Sequence, residues 1–119
     1  MKKYILAVLL GSLSSIALAA NPDCSKPEDI GQDETKLEAC LTSTNDKLNG
    51  TYKELRDIHK DNEEKLGVLK DMQLGWIKMR DAQCLFRSMN SAGGGGAALT
   101  AVLCEIELTN QRAKELADL

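Results

Sequence analysis

The chain has 119 residues, with 15 Lys and Arg against 18 Asp and Glu, a formal charge of −3, and four cysteines. One small domain is the size expectation. An acidic balance excludes the electrostatic footprint needed for nucleic acid or anionic lipid.

The first 24 residues read MKKYILAVLLGSLSSIALAANPDC. Lys2 and Lys3 form a basic start, residues 4–18 are apolar or small, and Ala17-Leu18-Ala19 has the form of a cleavage site. This predicts a secretory signal peptide over residues 1–19 and a mature domain over 20–119. Gly11, Ser12, Ser14 and Ser15 interrupt the apolar stretch, which falls short of the ~20 residues a membrane span requires. Asn21, Pro22 and Asp23 separate the small residues from Cys24, so a lipid anchor on that cysteine is not expected. The expected location is the periplasm or the exterior. Without Lys2 and Lys3 the mature chain carries 13 basic and 18 acidic side chains, a formal −5, which favours encounter with a basic partner.

All four cysteines, Cys24, Cys40, Cys84 and Cys104, lie in the mature part. An even number in an oxidising compartment reads as two disulfides, which a small domain needs because its core is limited. No pair has C-x-x-C spacing and the one histidine, His59, is remote from every cysteine in sequence. Neither a metal site, a redox motif nor a cofactor is expected.

After a polar lead containing Pro22 and Pro27, Leu37, Leu41, Thr44, Leu48, Tyr52, Leu55 and Ile58 recur at steps of three and four. They predict a helix from about Asp33 to His59. Asp61 followed by Glu64 has capping-box spacing and predicts the next helix start. There, Leu66, Leu69, Met72, Trp76, Met79, Gln83 and Phe86 form a second stripe, with Trp76 as a core residue. Gly75, beside it, has room for a close helix approach. The tetraglycine Gly93, Gly94, Gly95 and Gly96 breaks the pattern as a flexible turn or a mobile contact loop. It lacks the Lys-Ser/Thr of a phosphate loop. Leu99, Val102, Leu103, Ile106, Thr109, Asn110, Ala113 and Leu116 define a last helix. The fold expected is an all-α, three-helix up-down-up bundle stapled by two disulfides. Cys84 and Cys104 flank the glycine turn, and Cys24 and Cys40 are close in sequence, favouring Cys24–Cys40 with Cys84–Cys104. Cys40 and Cys84 flank the first turn almost symmetrically too, so Cys40–Cys84 with Cys24–Cys104 stays open.

The ordered set Leu48-Asn49-x-x-Tyr52, Gln73-x-x-Trp76-x-x-x-Arg80-Asp81-x-x-Cys84, Cys104 and Thr109-x-x-Arg112-x-x-x-Leu116 resembles the LprI-like family. These are small exported bacterial proteins named after a mycobacterial lysozyme inhibitor. The resemblance covers nearly the whole mature chain. Met79 stands where such proteins often have an aromatic before the Arg-Asp pair. The resemblance implies an all-helical, disulfide-linked domain that binds and inhibits lysozyme.

Arg80 and Asp81 are read as structural ion-pair residues, Arg80 towards Glu105 or Glu107 and Asp81 towards Arg112, since neighbours on a helix diverge by about 100°. No catalytic group is expected: one histidine and bound thiols offer no nucleophile–base pair. The acidic group Glu28, Asp29, Asp33, Glu34 and Glu38 suits a helix N-terminus and is also a candidate docking patch. Asp33, Glu34, Glu38 and Gly93 to Gly96 are the candidate contacts for a protein partner, a basic lysozyme being the one the resemblance implies.

Overall fold

The structure, a computed structural model, describes residues 24–90 and 95–119. The signal-peptide reading over 1–19, Gly93 and Gly94 lie outside those residues. A 3-10 turn, Pro27–Ile30, is followed by three helices: α1, Glu34–Ile58; α2, Glu63–Met89; α3, Gly95–Ala117. No strand occurs among the described residues. The all-α up-down-up expectation holds.

The ends of α1 fall where the sequence placed them. Asp33 is the N-cap, its carboxylate accepting the Lys36 amide at 3.2 Å, and His59 closes the helix through backbone bonds to Leu55 and Arg56. The start of α2 differs by one residue. Asn62, not Asp61, is the cap, and its side-chain oxygen accepts the Lys65 amide at 2.9 Å. Asn and Asp cap equally well, so the Asp61-x-x-Glu64 spacing could not decide between them. Gly95 and Gly96 also depart from the expectation of a four-glycine turn, because α3 begins at Gly95. The Gly96 carbonyl accepts the Thr100 hydroxyl at 2.8 Å.

Packing is organised by the last helix. α3 lies against both α1 and α2, whereas α1 and α2 hardly touch each other. Consequently α3 is buried on two faces. Ile106, Thr109, Ala113 and Leu116 follow helical spacing on one. At about 100° per residue, Cys104 and Leu108 lie about 160–200° round the helix from Ile106, and both are buried as well. The apolar core divides accordingly. Leu37, Cys40 and Ile106 join the N-terminal half of α1 to α3. Cys84, Cys104 and Leu108 join α2 to α3. Leu48, Leu55, Leu69, Ala113 and Leu116 gather all three helices near the α1–α2 turn, with Tyr52 and Trp76 packed on them.

The disulfides are Cys24–Cys40 and Cys84–Cys104, and no cysteine is free. The first ties the lead segment to α1; the Asn110 side-chain amide, donating to the Cys24 carbonyl at 3.0 Å, ties the same segment to α3. The second bridges α2 and α3 across the glycine connection.

One predicted stripe is rotated. Met72, Met79 and Phe86 are 40%, 44% and 67% exposed, so they do not form the inner face of α2. That face is Leu69, Gln73, Trp76, Arg80 and Cys84, with Leu69, Gln73 and Cys84 buried and Trp76 and Arg80 partly so. The physical reason is that a disulfide and a set of polar pairs, not apolar contacts alone, fix the rotation of α2. Gly75 faces open space, with nothing within 4 Å of a Cβ built there, so no helix of this chain approaches it. Ile58, expected to close the α1 stripe, is 72% exposed.

Candidate functional site

Three places on the molecule collect the residues that the sequence singles out. The first is a polar layer between α2 and α3. Trp76 packs against two core clusters, which joins the leucine-rich end to the Cys84–Cys104 end. The guanidinium carbons of Arg80 and Arg112 lie 5.3 and 5.8 Å from its ring centroid, within cation–π range. Arg80 Nε and Nη2 donate to one oxygen of Asp81 at 3.0 and 2.9 Å, and Nη1 reaches the buried Thr109 hydroxyl at 3.5 Å. Arg112 Nε donates to Gln73 Oε1 at 3.2 Å, and Nη1 pairs with Glu115 at 3.1 Å.

The expected partners Glu105, Glu107 and Arg112 are therefore not those of the Arg80-Asp81 pair. The two neighbours bond to each other, because an arginine side chain is long enough to cross the angle between adjacent positions. Glu107 instead pairs with Arg87 at 3.3 Å. Two of these bonds, Arg80 to Thr109 and Arg112 to Gln73, cross between α2 and α3. Among the described residues, no group of His, Cys, Asp and Glu is gathered to hold a metal ion. His59, at the C-terminal cap of α1, has no thiol or catalytic hydroxyl placed against it by any hydrogen bond.

The second place is the end at which α1 and α3 both begin. The two helices run parallel, so their N-terminal turns lie side by side. Glu34, Glu38 and Gly96 share a cleft of about 610 Å³ with Gln32, Leu37, Leu41, Ala98, Leu99 and Val102. Asp33 stands beside it as the cap of α1, with the Lys36 ammonium 3.9 Å away. Asp33, Glu34 and Glu38 are exposed. Sequence positions more than 50 apart thus meet at one end, and among the described residues Gly96 brings the glycine connection to the cleft. Glu28 and Asp29 sit in the 3-10 turn, and Glu28 opens on a different hollow, with Glu107, Asn110 and Lys114.

The third place is a groove of about 680 Å³ between α1 and α2, which follows from their failure to pack directly. Asn45, Leu48, Asn49, Tyr52 and Arg56 form one wall; Leu66, Lys70, Gln73, Leu74, Ile77 and Arg80 line the other. Sequence reasoning quoted Leu48-Asn49-x-x-Tyr52 but did not place it. The signal was available: Asn45, Asn49, Tyr52 and Arg56 run at steps of four, three and four beside the buried stripe, and none is acidic.

The fold defines a class: an all-helical domain with two disulfides and a polar layer between α2 and α3. The chain belongs to the family described as Lysozyme inhibitor LprI, which matches residues 24–116. Among curated proteins, an uncharacterized protein of Rhizobium meliloti (strain 1021) is 36% identical over 72 residues, 60% of this chain and 52% of the relative. The chain thus spans about half the length of that curated relative. No solved structure matches it. The two disulfides fit an oxidising compartment. No helix among the described residues is long and apolar enough to cross a membrane.

Proposed function

We propose that the protein inhibits a basic lysozyme by binding it through the end formed by the first turns of α1 and α3. The observation that carries this reading is the cleft where Glu34 and Glu38 meet Gly96, with Asp33 at its edge. The formal −5 of the mature chain adds long-range attraction for a basic enzyme. The block is steric: carboxylates steer the enzyme in, and the glycine connection with the start of α3 covers its substrate cleft. The protein acts in the periplasm or outside the cell, after removal of residues 1–19.

The test is inhibition of peptidoglycan hydrolysis by the purified protein at low ionic strength and near-equimolar ratio. Asp33→Asn, Glu34→Gln and Glu38→Gln together should slow association more than they speed dissociation, since exposed charges act chiefly on encounter. Asn at position 33 retains the cap, so a loss of binding cannot be laid to unfolding of α1. Absence of binding to every lysozyme class at low salt would overturn the reading.

A further inference from the structure

The geometry points to a second docking surface, the groove between α1 and α2, whose occupant is an acidic amphipathic helix of a protein partner. The argument begins with charge. Acidic side chains outnumber basic ones 18 to 13 once Lys2 and Lys3 are set aside, yet the groove's lining holds Arg56, Lys70 and Arg80 and no carboxylate. Arg80 is already paired with Asp81. Arg56 and Lys70 make no ion pair among the described residues.

Their isolation is built into the sequence. Ion pairs within a helix form at separations of three and four. The residues at those positions are Tyr52, Lys53, His59 and Lys60 for Arg56, and Leu66, Gly67, Gln73 and Leu74 for Lys70. None is acidic. By contrast Lys36 and Arg112 each have a carboxylate three residues away and use it. Two cations on facing walls are thus left for a charge from outside.

Shape supplies the rest. From Leu66 to Arg80 the α2 wall is about 21 Å long at 1.5 Å per residue, enough for about four turns of a docked helix. Leu74 and Ile77 are 56% and 36% exposed on that wall, while Leu48 is buried beneath it. Such a shelf suits the apolar stripe of a helix laid along the groove, which is the usual way an amphipathic helix is held. α3 already packs on both neighbours, and the incoming helix would take the fourth position, facing α1 and α2 together. Its carboxylates would meet Arg56 and Lys70 near the α1–α2 turn. A basic lysozyme is the wrong occupant for these cations, so the groove is separate from the lysozyme contact and does not depend on it.

Two fluorescein-labelled helical peptides of about 15 residues test this by polarisation at low salt. Both carry leucines at i, i+3, i+4 and i+7; one has glutamates on the remaining face and the other lysines. The glutamate peptide should bind the full mature protein and the lysine peptide should not. Arg56→Glu with Lys70→Glu, two exposed positions at which the fold is insensitive, should weaken the glutamate peptide by roughly tenfold or more. Leu74→Asp should weaken it separately. No binding of the glutamate peptide, equal binding of both peptides, or affinity unchanged in the double variant would each overturn the proposal. Circular dichroism of the variants should match the parent, which separates loss of the site from loss of the fold.

Discussion

The two ends of the molecule are held by different means. Where α1 and α3 begin, Cys24–Cys40 and Cys84–Cys104 close covalent loops beside two separate apolar clusters. Near the α1–α2 turn no disulfide is present, and Leu48, Leu55, Leu69, Ala113 and Leu116 gather all three helices. The difference follows from geometry. A short turn brings α1 and α2 together at one end, so side chains from three helices can share a core. At the other end the two helices have diverged to opposite sides of α3, and each makes its own separate cluster with it. Covalent links stand where no single core joins all three helices.

Reduction should produce the largest effect. Loops of 16 and 20 residues are each worth about 3 kcal/mol in the chain-entropy account. Thermal melts with and without reductant measure the sum. Cys84→Ser with Cys104→Ser should cost more than Cys24→Ser with Cys40→Ser, because it frees α2 from α3 while the latter frees a lead segment that Asn110 still holds. Equal losses would mean that the lead is as important to the bundle as α2.

At the leucine end, Leu116→Ala should cost about 2–5 kcal/mol in chemical denaturation, since Leu116 is 1% exposed. Trp76→Ala should fall at or below about 3 kcal/mol, the lower edge of the range for a buried aromatic, because the ring is only partly buried and two arginines cover it. Asn62→Ala removes the cap of α2 and should cost about 1 kcal/mol. The smallest effect belongs to Arg56→Glu with Lys70→Glu, within about 0.5 kcal/mol for each exposed site. A larger loss there would show that the groove contributes to folding and is not a surface held for a partner.

Helical spacing made most of this legible. Of the predicted stripes of α1 and α3, Leu37, Thr44, Leu48, Leu55, Ile106, Thr109, Ala113 and Leu116 are buried, Leu41, Tyr52, Leu99, Val102, Leu103 and Asn110 are partly buried, and Ile58 is exposed; Cys40, Cys104 and Leu108 are buried in addition. Asp33 and His59 bound α1 as the pattern indicated. The pairing of the cysteines also follows the preferred reading, although spacing alone left another open. What spacing missed lies in α2. A hydrophobic stripe there competes with the inner line of Gln73, Arg80 and Cys84, of which Gln73 and Cys84 are buried and Arg80 partly so, and polarity at those positions hides the true inner face. Arg80 and Asp81 were separated by a rule about directions that ignores the reach of a long side chain. The acidic end was seen as a set of residues, but its meeting with Gly96 depends on α1 and α3 being parallel. The line Asn45, Asn49, Tyr52 and Arg56 marks one wall of the groove in the sequence, but the groove itself exists only where two helices fail to touch.

The placement of α3 also orders events in time. It follows both other helices in the chain, and among the described helices it alone packs substantially on the other two. A nascent chain that has reached only Met89 holds two amphipathic helices with no shared wall and one cysteine, Cys84, whose partner does not yet exist. At ~5–20 residues per second, the remaining stretch to Leu119 takes a few seconds to add. Until then the polypeptide has no stable native state to enter. Synthesis of α3 and acquisition of structure are thereby coupled, and a chain cut short before α3 should behave as an unfolded one. Under the export proposed above, this order would leave the thiols unoxidised until the chain has crossed the membrane.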